Sequence, residues 1–290
     1  MKYNEKFIPK EYLALKINYL KNQLEQLPQI TLQKHIVHGN SLGRIKVDNH
    51  RYNLNSKIGK QSYNLMLQRN NLENLLQIYE AIWNYYFRTP VPEFDPPRVI
   101  KTINTGSGLV VMNRKYFDGL KNDANTTFPK PTNYFFNGTF YRSAAEREIA
   151  IFYTEMEIPF KYEPEVMLLG LKKPFYPDFV PYFKEIDTCM FHEHVGMLNS
   201  SNYITELKIK SSNYINAGMI PDQDVFFTTN SEESTFDIRY MAAKVNIAVY
   251  GAMVTSKDWV QNTFEPFILP KSSEGKNINE GTEYNNPVNK

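Results

Sequence analysis

Cysteine is almost missing from this 290-residue chain: Cys189 stands alone, which excludes an intramolecular disulfide and any cysteine-based zinc cluster. Long apolar runs are missing too. None approaches the roughly 18 residues of a membrane-spanning helix, so no membrane partner is expected. The first residues, MKYNEKFIPKEY, lack the apolar stretch of a secretory signal, and a cytoplasmic location is expected. Nor is one charge in excess. Lys and Arg number 33 against 31 Asp and Glu, a formal net charge of +2. No global positive field announces nucleic acid, so a local basic groove would have to supply phosphate affinity. There is no HExxH helix motif and no internal repeat. Asn104-Thr105-Gly106-Ser107-Gly108 lacks the Gly-Lys-Ser/Thr that completes a phosphate loop.

What remains is the composition of a soluble globular protein, long enough for one large domain or two small ones. The 20 Tyr and 19 Phe suit an aromatic core and would also suit base stacking. Leu13, Leu15, Ile17, Leu20, Leu24 and Leu27 recur at helical spacing, and Pro28 ends that segment. Residues 30–54 switch to short β-type runs with Gly39, Gly43 and Asn49 at turns, a small hairpin. Residues 61–87 are helical again. The chain thus opens with a helix–hairpin–helix unit over residues 1–90, whose Leu-rich face packs internally or pairs with a protein partner or a second copy. Residues 91–133 form an irregular connector, beginning with a Pro-rich stretch that cannot propagate a helix.

Residues 134–269 form the second domain. Asn137-Gly138 marks a tight hairpin. A helix follows over 143–156, then strands over 159–169, 175–183 and 188–194. A helix over 201–217, a strand over 224–229 and a helix within 234–253 complete an α/β sandwich around a mixed sheet. Residues 270–290 are too polar to bury a core and are expected to be disordered.

The chemistry-bearing residues cluster in this second domain. Asp178 and Glu193 stand 15 residues apart, the reach of one hairpin returning through Lys184-Glu185-Ile186-Asp187. Both then lie at one end of the sheet, where two acids can share a hard divalent cation. Each sits among apolar residues, where an unpaired carboxylate is costly. Glu146 has two readings: the third position of a capping box begun by Ser143, and a third carboxylate aimed over the sheet. His192 and His194 flank Glu193 and point away from it, against a His-Glu-His metal cluster on one strand. His194 remains a candidate for a hydrogen bond to phosphate. Lys210 and Lys208 follow on the next helix, as a charge stabiliser for phosphorus or as a solvated face. Lys172 and Lys173, in a turn, are candidate backbone contacts.

The order helix-with-Glu, strand, Pro-Asp strand, Glu strand, helix resembles the PD-(D/E)XK nuclease superfamily over residues 142–229. The residues that carry the resemblance are Arg142-Ser143 with Glu146, Ile158-Pro159-Phe160 with Tyr162-Glu163, Pro177-Asp178-Phe179, Glu193-His194-Val195-Gly196-Met197, and Lys210 with Tyr214 and Gly218-Met219. They are also similar to an uncharacterised group of bacterial nuclease-like proteins. The resemblance implies a restriction-endonuclease-like core and a Mg²⁺ or Mn²⁺ site formed by Asp178 and Glu193 with help from Glu146. It also implies metal-dependent hydrolysis of nucleic acid, with DNA as the expected substrate. One position departs: the superfamily's lysine belongs two residues after the acid, where Val195 stands. Lys210 is the candidate replacement and His194 another. The alternative is a catalytically degenerate nucleic-acid-binding or scaffold protein that keeps the fold.

Overall fold

The computed structural model describes residues 10–37, 40–127, 129–196, 201–230 and 236–255, with only the backbone of 34–37, 40–42 and 202. The turn at Gly39, Met197, Ser234 at the edge of the segment expected to hold the last helix, and the polar tail over 270–290 lie outside the described residues. Helix α1 (Lys10–Gln26) buries Leu13, Ile17 and Leu20 against α2 (Lys57–Tyr86), whose Trp83 is fully buried. Between them lies a three-stranded antiparallel sheet, β1 (Ile30–Val37), β2 (Asn40–Val47) and β3 (His50–Asn53), one strand more than the expected hairpin. The extra strand comes from Asp48-Asn49. Asp48 adopts φ 47°, a conformation Asp tolerates, and the chain turns within two residues so that Val47 faces His50.

The connector expected to be irregular holds a hairpin, β4 (Thr102–Asn104) with β5 (Leu109–Val111), and a short helix α3 (Arg114–Gly119) capped by Asn113. Three-residue strands carry too little alternation to register in a sequence. The Gly106–Gly108 stretch is the turn of this hairpin. A further hairpin, β6 (Phe135–Phe136) with β7 (Thr139–Phe140), turns at Asn137 and Gly138, both at positive φ.

The remaining elements are α4 (Ala144–Glu155), β8 (Phe160–Tyr162), β9 (Phe179–Phe183), β10 (Thr188–Cys189), β11 (Phe191–Val195), α5 (Ser201–Asn216), β12 (Val225–Thr229) and α6 (Ile238–Val254). The sheet runs β10-β9-β11-β12, with β8 also on β9. Antiparallel pairs on β9 and a parallel β11–β12 pair make it mixed. The first strand stops short of the expected 159–169, because Glu163 turns to φ 39° and Pro164 has no N–H to donate.

Strand alternation divides the core. Phe179, Phe183 and Phe226 join Ile149, Phe152 and Tyr153 of α4, Met241, Val245 and Val249 of α6, and Tyr12 and Leu15 of α1. Val180, Tyr182, Phe191 and Val225 face Tyr214 of α5 with Ile103, Met112 and Phe117. Each fully buried large side chain contributes about 1.5–3 kcal/mol relative to exposure. The result is a mixed α/β architecture with helices on both faces of the sheet. Among the described residues no helix is long and apolar enough to cross a membrane.

Candidate active site

All five residues of β9 and all five of β11 are buried, so the two strands form a fixed frame. Phe179 pairs with His192, and the register continued one step brings Asp178 beside Glu193. The chain reverses through a turn of 3-10 helix over Lys184–Ile186 and through Asp187 at φ 45°. Tyr182 Oη and the Arg114 N–H both donate to Asp187 Oδ1 and hold that reversal.

Helix α5 closes over this end of the sheet. Lys210 Nζ donates to Asp178 Oδ1 at 3.3 Å and also to Glu193 Oε2. Tyr214, one helical turn further on, donates its hydroxyl to Glu193 Oε1. Asp178 Oδ2 accepts the His194 backbone N–H at 2.7 Å. Glu193 is almost wholly enclosed, while the Asp178 and Lys210 side chains keep 24% and 26% exposure and so face a cavity. That cavity, of about 570 Å³, is lined by Glu146, Asp178, Glu193 and Lys210 together with His194 and Tyr203.

Glu146 arrives from the opposite side. Ser143 caps α4 by accepting the Glu146 N–H at 3.1 Å, half of the expected capping box. The other half differs. Glu146 Oε2 accepts from the Arg142 N–H at 3.1 Å and from Tyr162 Oη at 2.6 Å, not from Ser143. Both bonds use the same oxygen, and Oε1 accepts none among the described residues. The helix start is thus capped by the serine, and the carboxylate stays available to the cavity.

The electrostatics follow from burial and from two acids, Asp178 and Glu193, sharing the Lys210 ammonium, with Glu146 close by. Burial, then the negative charge of Asp178, push Glu193 up to about 8 against the pull of Lys210 and Tyr214. Burial, then Asp178, push Glu146 up to about 7 against its two hydrogen bonds. Burial also opposes ionisation of Asp178, but the Lys210 charge, the His194 N–H and hydrogen bonds from Glu193 and Lys210 outweigh it and hold it below the usual carboxylate range. Burial disfavours the Lys210 cation; the charges of Asp178 and Glu193 reverse that and raise it.

This donor set fits a hard divalent cation. The cavity has more carboxylate than counter-charge, and burial together with the Asp178 charge pushes two of its acids towards protonation. Among the described residues no three His, Cys, Asp or Glu side chains form a ready-made ligand group. Mg²⁺ commonly takes one or two carboxylates and completes its shell with water and substrate phosphate, so Asp178 and Glu193 suffice.

His194 lines the cavity, but its ring is engaged: Nδ1 with Thr228 Oγ1 and Nε2 with Asn230 Oδ1, both at 3.0 Å. His192 is fully buried on the same face, between Tyr153 Oη and Thr228 Oγ1. Lys208 is exposed on α5, and Lys172 and Lys173 are exposed in their turn; none of the three lines the cavity. The sequence reading assigns no part to Tyr162, Tyr203, Tyr214 or Asn230. Tyr214 had a findable signal, its position one turn after Lys210. The others are joined to the site only by folding.

Compared with known proteins, the chain matches no family model, no curated protein and no solved structure.

Proposed function

We propose that this protein is a metal-dependent nuclease that hydrolyses phosphodiester bonds of DNA, and that its mixed sheet is a restriction-endonuclease-like core. The observation that carries this reading is the junction of Asp178, Glu193 and Lys210 at adjacent strand ends. Val195 stands where the superfamily's lysine belongs, and Lys210 supplies an ammonium to the same two acids from α5.

A Mg²⁺ or Mn²⁺ held by Asp178 and Glu193, with Glu146 helping, would neutralise charge on the phosphate and make a water more acidic. Lys210 places a fixed positive charge where the phosphate oxygens gain negative charge. Tyr214 and Lys210 grip both oxygens of Glu193 and hold its orientation. Glu146, whose Oε1 accepts no hydrogen bond among the described residues and whose affinity for protons is raised by burial and by the Asp178 charge, is placed to accept a proton from the attacking water. One feature favours a second reading, a nucleic-acid-binding protein without catalysis. Lys210 already pairs with both acids, which partly satisfies them without a metal.

Cleavage of plasmid, linear and single-stranded DNA and of RNA, in Mg²⁺, Mn²⁺ or EDTA, separates these readings. The expected result is metal-dependent cutting of DNA that Asp178→Asn and Glu193→Gln each abolish. Binding without cutting in every condition selects the second reading. Cutting that survives both substitutions overturns this site.

A further inference from the structure

Charge is unevenly spread along the chain. Residues 30–60 hold six Lys and Arg and one acid, Asp48, a net +5 in a chain whose total is +2, so the rest sums to −3. This stretch is the β1–β2–β3 sheet and the start of α2. Its register sorts the side chains. Ile45 is fully buried and shares its face with Ile30 and Tyr52, and α2 packs against all three strands. The opposite face carries two cross-strand rows, Thr31–Lys46–Arg51 and Gln33–Arg44–Asn53. Thr31, Arg51 and Asn53 are exposed, and Gln33, Arg44 and Lys46 are half-buried.

No acid stands in these rows. Among the described residues, Arg44, Lys46 and Arg51 have no ion-pair partner. Lys46 and Arg51 are directly opposed, and like charges so placed destabilise a sheet. Lys57 and Lys60 open α2, where the helix dipole disfavours cations and the first turn holds no acid. Cations set against stability and left without counter-charge fit an anionic partner. Arg44 and Lys46 stand about 7 Å apart along β2, with Arg51 on the neighbouring strand. That is a spread array, suited to a series of phosphates more than to one compact anion. The two rows contain no aromatic ring, whereas single-strand binding relies on stacking against aromatics.

We propose that this face of the β1–β2–β3 sheet docks the phosphate backbone of double-stranded nucleic acid through Arg44, Lys46 and Arg51. The identity of the polyanion rests on the nuclease reading; the surface does not. The test is fluorescence anisotropy of a labelled duplex of about 20 base pairs over a salt series in EDTA, so that no cutting is needed. Lys46→Gln and Arg51→Gln are each expected to lower the slope of log affinity against log salt by about 1. The triple variant with Arg44→Gln is expected to lower it by about 3 and to weaken binding at least about tenfold at moderate salt. Thermal melts confirm that each variant folds, and the single variants decide the matter if the triple one does not. Unchanged slopes overturn the proposal, as does a wild type that binds no duplex. So does a wild type that prefers phosphatidylserine vesicles, polyglutamate or a single strand of equal length. Duplex binding with these slopes but no cleavage in any metal leaves the surface standing and removes the nuclease. Cleavage with unchanged slopes does the reverse.

Discussion

Glu193 is gripped at both oxygens and is still pushed up to about 8, while Glu146 stands at about 7. The unfolded chain would ionise both near the usual value of 4.5, so the folded state binds the extra protons. The stability this confers is complete below that unfolded value. It declines as pH rises and is lost above the folded values. In EDTA the melting temperature is therefore expected to fall from about pH 6.5 to about pH 8.5, and Glu193→Gln to flatten much of the fall; below about pH 6.5 His192 and His194, held neutral by burial, act in the opposite sense. Mg²⁺ or Mn²⁺ should raise the melting temperature more at the alkaline end, because a carboxylate must lose its proton to ligate. Differential scanning fluorimetry at both pH values checks this; an equal metal shift at the two would speak against Glu193 and Glu146 as ligands. At this scale the acids were legible, because carboxylates in apolar runs stand out. Tyr162 and Tyr214 stood out only as members of the resemblance; their bonds to Glu146 and Glu193 were not legible, because a buried tyrosine reads as core until its hydroxyl is seen to have a partner.

Helix α4 shows how an element aims a functional group. Ser143 satisfies the Glu146 N–H, which fixes the first turn and with it the root of the Glu146 side chain. Ser143→Ala is expected to cost about 1 kcal/mol in urea denaturation, and Ser143→Asn to restore most of it. No loss in the alanine variant would mean that Tyr162 and Arg142 hold the helix start without the cap. Elements with strong local signals were legible: α4 from its capping residue and the β6–β7 hairpin from Asn137-Gly138, while the strand expected over 175–183 forms only at Phe179–Phe183 and the one expected over 188–194 divides at Met190 into β10 and β11. Strands β3, β4 and β5 and helix α3 were not legible, since each is six residues or shorter and shows no repeat of its own period. The basic rows of the β1–β2–β3 sheet were in the sequence, but only the pairing of the three strands shows that Arg44, Lys46 and Arg51 share a face.

At the scale of the whole molecule, α1 belongs to two cores at once. It lies against α2 through Leu13 and Ile17, and it adds Tyr12 and Leu15 to the core beneath the mixed sheet. Lys16, from α1, is buried in an ion pair at 3.0 Å with Glu185 in the turn between β9 and β10, and it also donates to the Met156 carbonyl. Both side chains are 2% exposed, so removing one leaves a buried charge unpaired. Lys16→Ala is expected to destabilise by about 3–5 kcal/mol, with Lys16→Met paired with Glu185→Leu recovering much of it. Unfolding should follow one transition, with tryptophan fluorescence and far-ultraviolet circular dichroism superimposing. Two separated transitions would show that the N-terminal elements fold apart from the sheet. Helix boundaries, turn positions and the acids of the candidate site follow from caps, breakers and alternation, all acting within a few residues. The placement of Lys210 and Tyr214 on Glu193, 17 and 21 residues away, needed α5 to close over the sheet. The contact of Lys16 with Glu185 spans 169 residues. Pairings at such distances come from burying complementary faces, and no local pattern in the chain encodes them.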